Sequence, residues 1–136
     1  MAVQKIAHVG LAVRSIEEML KLLESCFGAK LLTKMEIPFM NQVSAMVSLG
    51  EQGMLELMEP MGEGPISKFL EEKGEGLHHI SLKVYSVAEL VKDLEAKGLR
   101  VVGKIPPENP TFAFVYPKST HGVLIELTEM EEGFKP

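Results

Sequence analysis

Two stretches of the 136-residue sequence decide its fold: His8-Val-Gly-Leu-Ala-Val-Arg-Ser15 and His79-Ile-Ser-Leu-Lys-Val-Tyr-Ser86. They align at an offset of 71 residues, and from the histidine onward eight of seventeen positions are identical. A second match, Glu56-Leu57 with Glu126-Leu127, follows at an offset of 70. Self-similarity of this kind indicates a duplicated structural unit. We therefore predict two related modules.

Each copy begins with a strand. Val9, Leu11 and Val13 alternate with other residues, which is the period of two expected when one face of a sheet meets a core. This alternation places His8 on the opposite face. Leu55 and Leu57 alternate with Glu56 in the same way, and Ile125 and Leu127 alternate with Glu126.

A helix follows each opening strand. Ser15 with Glu18, and Ser86 with Glu89, have the spacing of capping boxes, which satisfy free amides where helices begin. Gly28 suits the residue just past the first helix. The predicted apolar stripes are Ile16, Met19, Leu20, Leu23 and Phe27 in the first helix, and Val87, Leu90, Val91 and Leu94 in the second.

The remaining strand candidates are residues 30–36, 42–49 and 54–58, then 101–105, 112–116 and 123–127. A short helix from Pro65 to about Lys73 lies between the halves, because proline favours the first helical position. The sequence thus predicts an α+β fold over residues 1–136, one domain made of a βαβββ module at 6–60 and another at 77–129, joined by a helical linker. We expect the modules to curl into an incomplete barrel around a metal site.

Composition excludes several classes. Hydrophobic residues make up 46% and charged residues 24%, which is typical of a globular protein. The net charge of -5 argues against nucleic acid and anionic membranes as partners. We expect a cytoplasmic protein, because the sequence has no long apolar run and no signal-peptide profile at its N-terminus. The single cysteine, Cys26, cannot form an internal disulfide and is predicted to be a small core residue.

Four polar residues obey the repeat: His8 and His79 on the opening strands, Glu56 and Glu126 on the closing strands. Two imidazoles and two carboxylates converging on one point would bind a divalent cation of hard or borderline character, with two octahedral positions free for substrate oxygens. Co, Mn, Mg, Fe, Ni and Zn all remain open. The alternative is that each side chain faces water or a neighbouring donor, as single polar residues on strands usually do.

The sequence resembles the vicinal oxygen chelate superfamily, and within it the methylmalonyl-CoA epimerase family. The resemblance covers nearly the whole chain. The stretches that carry it are Ile6-Ala-His8-Val-Gly-Leu-Ala-Val, Leu55-Glu56-Leu-Met-Glu-Pro60, Pro65-Ile-Ser-Lys68-Phe-Leu-Glu71, Gly74-Glu-Gly76-Leu-His78-His79-Ile80 and Pro117-Lys-Ser-Thr120-His-Gly-Val-Leu-Ile-Glu126-Leu.

This resemblance implies an isomerase that interconverts the 2R and 2S forms of methylmalonyl-CoA through an enolate. It implies that His8, Glu56, His79 and Glu126 bind one divalent metal, with Glu126 as the first candidate for a catalytic base. An acyl-CoA substrate and a homodimer follow from the same resemblance. Lys68 and Lys118 are candidates for binding the substrate's phosphates, together with Lys104, since lysine meets phosphate as a point charge.

Two departures from the family affect the expected substrate. Some epimerases carry a catalytic glutamate on the strand before the Glu56 strand, but residues 37–50 contain no acid, and Ser44 is the nearest equivalent. Glu36 or Glu59 could act through water, although surface placement is the expectation for both. A proline-rich stretch at 106–110 replaces the usual glycine-rich loop.

Two other functions stay open. A glyoxalase-type isomerase would use the same metal set on a thiol hemithioacetal. A metal-free small-molecule-binding module of the resistance type would not need the four ligands. His121, beside Gly122, is predicted to be a turn residue.

Overall fold

The computed structural model describes residues 2–130. These form two compact units, one of residues 8–78 and the other of residues 2–7 with 79–130. The βαβββ order occurs twice along the chain, so the predicted α+β class is confirmed. The predicted module bounds 6–60 and 77–129 remain a prediction.

The bounds of the elements follow the sequence patterns to within a few residues. The first repeat consists of β1 (Val3–Ala12), α1 (Ile16–Phe27), β2 (Lys30–Ile37), β3 (Gln42–Leu49) and β4 (Gly53–Pro60), followed by the linker helix α2 (Pro65–Lys73). The second consists of β5 (Gly76–Val84), α3 (Val87–Ala96), β6 (Val101–Ile105), β7 (Phe112–Val115) and β8 (Ile125–Thr128).

Strand pairing is the same in both repeats. In the first, the order is β2-β3-β4-β1, with β1 parallel to β4 and Gly10 opposite Glu56. In the second, the order is β5-β8-β7-β6, with β5 parallel to β8 and Ser81 opposite Glu126. The first and last strands of each repeat are therefore neighbours, which brings residues far apart in the sequence to adjacent positions.

The start of α1 has two caps. Ser15 adopts an extended conformation, and its hydroxyl accepts from the Glu18 amide at 3.1 Å, as predicted. The Glu59 carboxylate, at the end of β4, accepts from the Ile16 amide at 2.7 Å. Glu59 is therefore half-buried and structural, and the expectation that it lies at the surface was wrong.

Helix α3 has the same arrangement. The Ser86 hydroxyl accepts from the Glu89 amide at 3.2 Å, and the Glu129 carboxylate accepts from the Val87 amide at 2.8 Å. Because carboxylates are favourable at the positive end of a helix, each acid also stabilises the helix that it caps.

Each repeat has its own apolar core on the helix side of its strands. The buried members are Val13, Ile16, Leu23, Ala29, Ala45, Val47 and Leu57 in the first repeat, and Val84, Val87, Val91, Val101, Ala113, Val115 and Leu127 in the second. A smaller cluster of Ala12, Met58, Ile66 and Leu70 packs α2 against the other face of β1 and β4. That cluster extends burial to the face on which His8 lies.

The last turn of α1 departs from the predicted apolar stripe. Phe27 is 64% exposed, and Cys26 is exposed as well, so their placement in the core was wrong. The helix residues buried in the core are Ile16 and Leu23, and the turn beyond Leu23 has no core beneath it. Gly28 ends the helix at φ 72°, the left-handed conformation that glycine adopts without steric cost.

In the described part of the chain, every helix is too short or too polar to cross a membrane.

Candidate metal centre

The first candidate ligand pair is His8 on β1 and Glu56 on β4. Parallel pairing of these strands brings the His8 Nε2 and Glu56 Oε1 atoms to 3.2 Å. The His8 side chain is 2% exposed and the Glu56 side chain 14%. A carboxylate so little exposed to water needs polar partners to be tolerated.

Strand β3 supplies some of those partners. Its Ser44 hydroxyl donates to Glu56 Oε2 at 2.8 Å. Behind it, the Gln42 side-chain amide donates to the Ser44 oxygen at 3.0 Å. Both Gln42 and Ser44 are buried. The glutamate thus presents one oxygen to the histidine and the other to a buried chain of donors.

The second candidate pair is His79 on β5 and Glu126 on β8. The His79 Nε2 and Glu126 Oε1 atoms are 3.5 Å apart, with side chains 2% and 7% exposed. The Ser81 hydroxyl, on β5, donates to Glu126 Oε2 at 2.6 Å. The Phe114 ring meets the His79 ring edge-on, with centroids 6.3 Å apart.

The geometry within each pair fits coordination of a divalent ion. Two ligands about 2.1 Å from an ion and at right angles to one another lie roughly 3 Å apart, close to the 3.2 and 3.5 Å separations within the pairs. Each pair offers one imidazole nitrogen and one carboxylate, donors suited to a hard or borderline divalent metal.

The other predicted site residues lie elsewhere. Lys68, Lys118 and Glu36 are exposed. Lys104 forms an ion pair with Glu95 at 2.7 Å. His121 ends the 3-10 turn Pro117–Thr120 at φ 58°, which confirms it as a turn residue.

Sequence reasoning missed the donors to the two glutamates. Ser44 was noted only as the equivalent of a missing acid, and Gln42 and Ser81 were not singled out. Ser81 is close to His79 in the sequence, which offered a signal. The contact of Gln42 and Ser44 with Glu56 depends on strand register, which the sequence does not display.

Fold and site together define a class of protein. Residues 7–116 match the Glyoxalase/Bleomycin resistance protein/Dioxygenase superfamily, and the chain belongs to that superfamily.

Within that class, the chain is similar to methylmalonyl-CoA epimerases. It is 33% identical over 130 residues to the mitochondrial methylmalonyl-CoA epimerase of Dictyostelium discoideum, with 92% of this chain and 78% of that protein covered. A Streptomyces coelicolor methylmalonyl-CoA epimerase variant, solved in complex with 2-nitronate-propionyl-CoA, superimposes with a TM-score of 0.85 at 26% identity, covering 98% of this chain and 99% of that one. The chain is also 31% identical over 129 residues to the uncharacterized protein YqjC of Bacillus subtilis (strain 168), covering 92% and 91% of the two chains.

Proposed function

We propose that the chain is an isomerase that epimerises methylmalonyl-CoA at C2. The observation that carries the proposal is the pairing of a buried histidine with a buried or half-buried glutamate at equivalent places in both repeats, 3.2 Å apart in one and 3.5 Å in the other. The similarity to methylmalonyl-CoA epimerases over nearly the full chain supports the substrate. The metal-free binding module is disfavoured, because such a module has no need for two such pairs.

We further propose that His8, Glu56, His79 and Glu126 bind one divalent cation together, and that this cation is Co, Mn, Mg, Ni or Zn. When bound, the cation would act as a Lewis acid that offsets the negative charge of the enolate. Each glutamate offers the cation one oxygen, since its other oxygen accepts a serine hydroxyl.

Proton transfer at C2 falls to carboxylates in this proposal. Glu126 takes the proton from one face of C2 as a ligand that loosens from the cation, because it is buried and Oε1, the oxygen that it offers the cation, is not the one that accepts from Ser81. Epimerisation requires a second proton donor on the other face.

Substrate binding also needs groups for the nucleotide phosphates of coenzyme A. We propose Lys68 on α2 and Lys118 in the 3-10 turn, because both side chains are exposed and positively charged. Lys104 is a weaker candidate, because its charge is already paired with Glu95.

The test is an exchange assay. Purified protein loaded with each candidate metal is incubated with methylmalonyl-CoA in heavy water. We expect deuterium to enter at C2 and the product to become a substrate for an enzyme specific for the opposite C2 configuration. Glu126→Gln should abolish both signals. No exchange with any loaded metal would refute the proposal, and turnover of a glutathione hemithioacetal by the same preparation would support the glyoxalase-type alternative.

A homodimer and a cytoplasmic location complete the proposal. The homodimer is supported by exposed apolar side chains on β2 and the turn after it: Leu31, Leu32, Met35 and Phe39. Sedimentation velocity should give twice the mass of the chain, and Met35→Glu with Phe39→Glu should give a monomer if these residues form the interface. Fractionation of the source cells tests the location.

A further inference from the structure

We infer that Ser44 and Ser81 are positioning residues, each of which holds one oxygen of a ligand glutamate and so keeps that glutamate to a single metal bond. The inference rests on the proposed metal site. It assigns a role to two hydroxyls that lie outside the ligand set.

The two hydroxyls come from different strands of their repeats. Gly10 and Ser81 are equivalent by strand register. Gly10 on β1 lies opposite Glu56 on the parallel strand β4, and Ser81 on β5 lies opposite Glu126 on the parallel strand β8. Register also makes Ser44 equivalent to Phe112, because they lie opposite Met58 and Thr128.

The hydroxyls therefore occupy non-equivalent positions. Where β5 has Ser81, β1 has a glycine, which has no side-chain hydroxyl, and the donor comes from β3 instead. Where β3 has Ser44, β7 has a phenylalanine, and the donor comes from β5. Simple retention of an ancestral contact after duplication would leave the donors at equivalent positions. Supply of one hydroxyl to each glutamate from different strands indicates that the hydroxyl itself is needed.

The hydrogen bonds of both serines point to the same oxygen of their glutamates. Gln42 donates its amide proton to the Ser44 oxygen at 3.0 Å, so the Ser44 hydroxyl proton points to Glu56 Oε2, 2.8 Å away. In the other repeat the donor to Glu126 Oε2 is Ser81, at 2.6 Å. In both pairs the other oxygen, Oε1, is the one that faces the histidine.

This arrangement has a consequence for the open coordination positions. A glutamate without its serine could bind the cation through both oxygens, and the second oxygen would fill a position that water or substrate otherwise takes. A six-coordinate ion with four protein ligands has two coordination positions left. Both serines therefore keep these two positions open for water or substrate.

The experiment uses Mn²⁺ alone as probe. The free ion is counted by electron paramagnetic resonance, and water in contact with bound Mn²⁺ is measured by proton relaxation. In Ser44→Ala and in Ser81→Ala we expect relaxivity per bound Mn²⁺ to fall by roughly half, since one of about two water positions is lost. We expect the Mn²⁺ affinity to fall about 10- to 100-fold, as is usual when a group supporting a ligand is removed.

Four variants control for structural effects. Ser48→Ala makes the same change on β3, at a residue opposite Met54, and should retain wild-type values. Gly10→Ser combined with Ser44→Ala moves the hydroxyl to the position that Ser81 occupies in the other repeat, and should restore relaxivity. Threonine and valine have nearly the same shape, but only threonine has a hydroxyl. Relaxivity should therefore fall in Ser44→Val and not in Ser44→Thr. This pair replaces Ser44→Ala in the test if that variant does not fold.

Wild-type relaxivity in folded Ser44→Ala and Ser81→Ala, or in Ser44→Val, would overturn this inference while leaving the metal site intact. A wild-type protein that binds none of the candidate metals would overturn the proposed metal site and this inference with it.

Discussion

The glutamates of the two repeats have the same histidine partner but different surroundings. Glu56 lies beside a polar strand, where β3 presents Gln42 and Ser44. Glu126 lies beside an aromatic strand, where β7 presents Phe112 and Phe114, whose rings meet edge-on 5.2 Å apart. Both repeats therefore have the histidine–glutamate pair, but the residues around the glutamate differ. The two carboxylates are therefore equivalent in the fold but differ in their immediate neighbours.

The largest effect is expected from the apolar cores, and it tests whether the two repeats contribute equally to stability. Leu57 and Leu127 are equivalent and almost fully buried, with exposures of 0% and 1%. Either leucine replaced by alanine should reduce the free energy of unfolding by about 2–5 kcal/mol, since a cavity remains. Denaturant melts of both variants measure this. A loss below about 1 kcal/mol in only one of them would show that its repeat can collapse around the cavity.

The next effect concerns the histidines and compares the two candidate ligand pairs directly. His8→Ala and His79→Ala each remove one imidazole. Each should weaken divalent metal binding by more than ~100-fold, because removal of a group that only supports a ligand already costs up to about 100-fold. Calorimetric titration with Mn²⁺ or Co²⁺ measures the affinity, and circular dichroism checks the fold. Wild-type affinity in His8→Ala with loss in His79→Ala would mean that a single pair binds the metal.

The smallest effect concerns the acids that cap the helices, where the repeats are most alike. Glu59→Ala exposes the Ile16 amide at the start of α1, and Glu129→Ala does the same for Val87 at the start of α3. Each should cost about 1 kcal/mol of stability, the usual cost of a lost helix cap. Thermal melts should show similar shifts in both variants. Glu36→Ala, on the exposed face of β2, is the control and should leave the melting temperature unchanged.

Much of the fold could be predicted because local rules and the repeat agree. The serine caps Ser15 and Ser86 begin helices where expected, and the alternation around Glu56 and Glu126 places both glutamates off the apolar face. The helical period failed at Cys26, because periodicity indicates which face of a helix is apolar but not how far the core extends beneath it.

The site was predicted only in part, because its supporting contacts depend on strand register. Ser44 reaches Glu56 only through the pairing of β3 with β4, two elements whose alignment the sequence leaves open. The caps Glu59 and Glu129 were open to prediction, because they repeat at the same offset of 70 as Glu56 and Glu126.

The division of the chain into units has a consequence for synthesis on the ribosome. The unit of residues 8–78 is contiguous in the described sequence, so all residues that make its contacts are present before residues 79–130 are translated. The other unit combines residues 2–7 with 79–130, and Val3 packs against a core whose last member is Leu127. Residues 2–7 therefore have no contacts with the rest of their unit until more than half of the polypeptide has been translated. Nascent protein should expose Val3 to chaperones until β8 has left the exit tunnel.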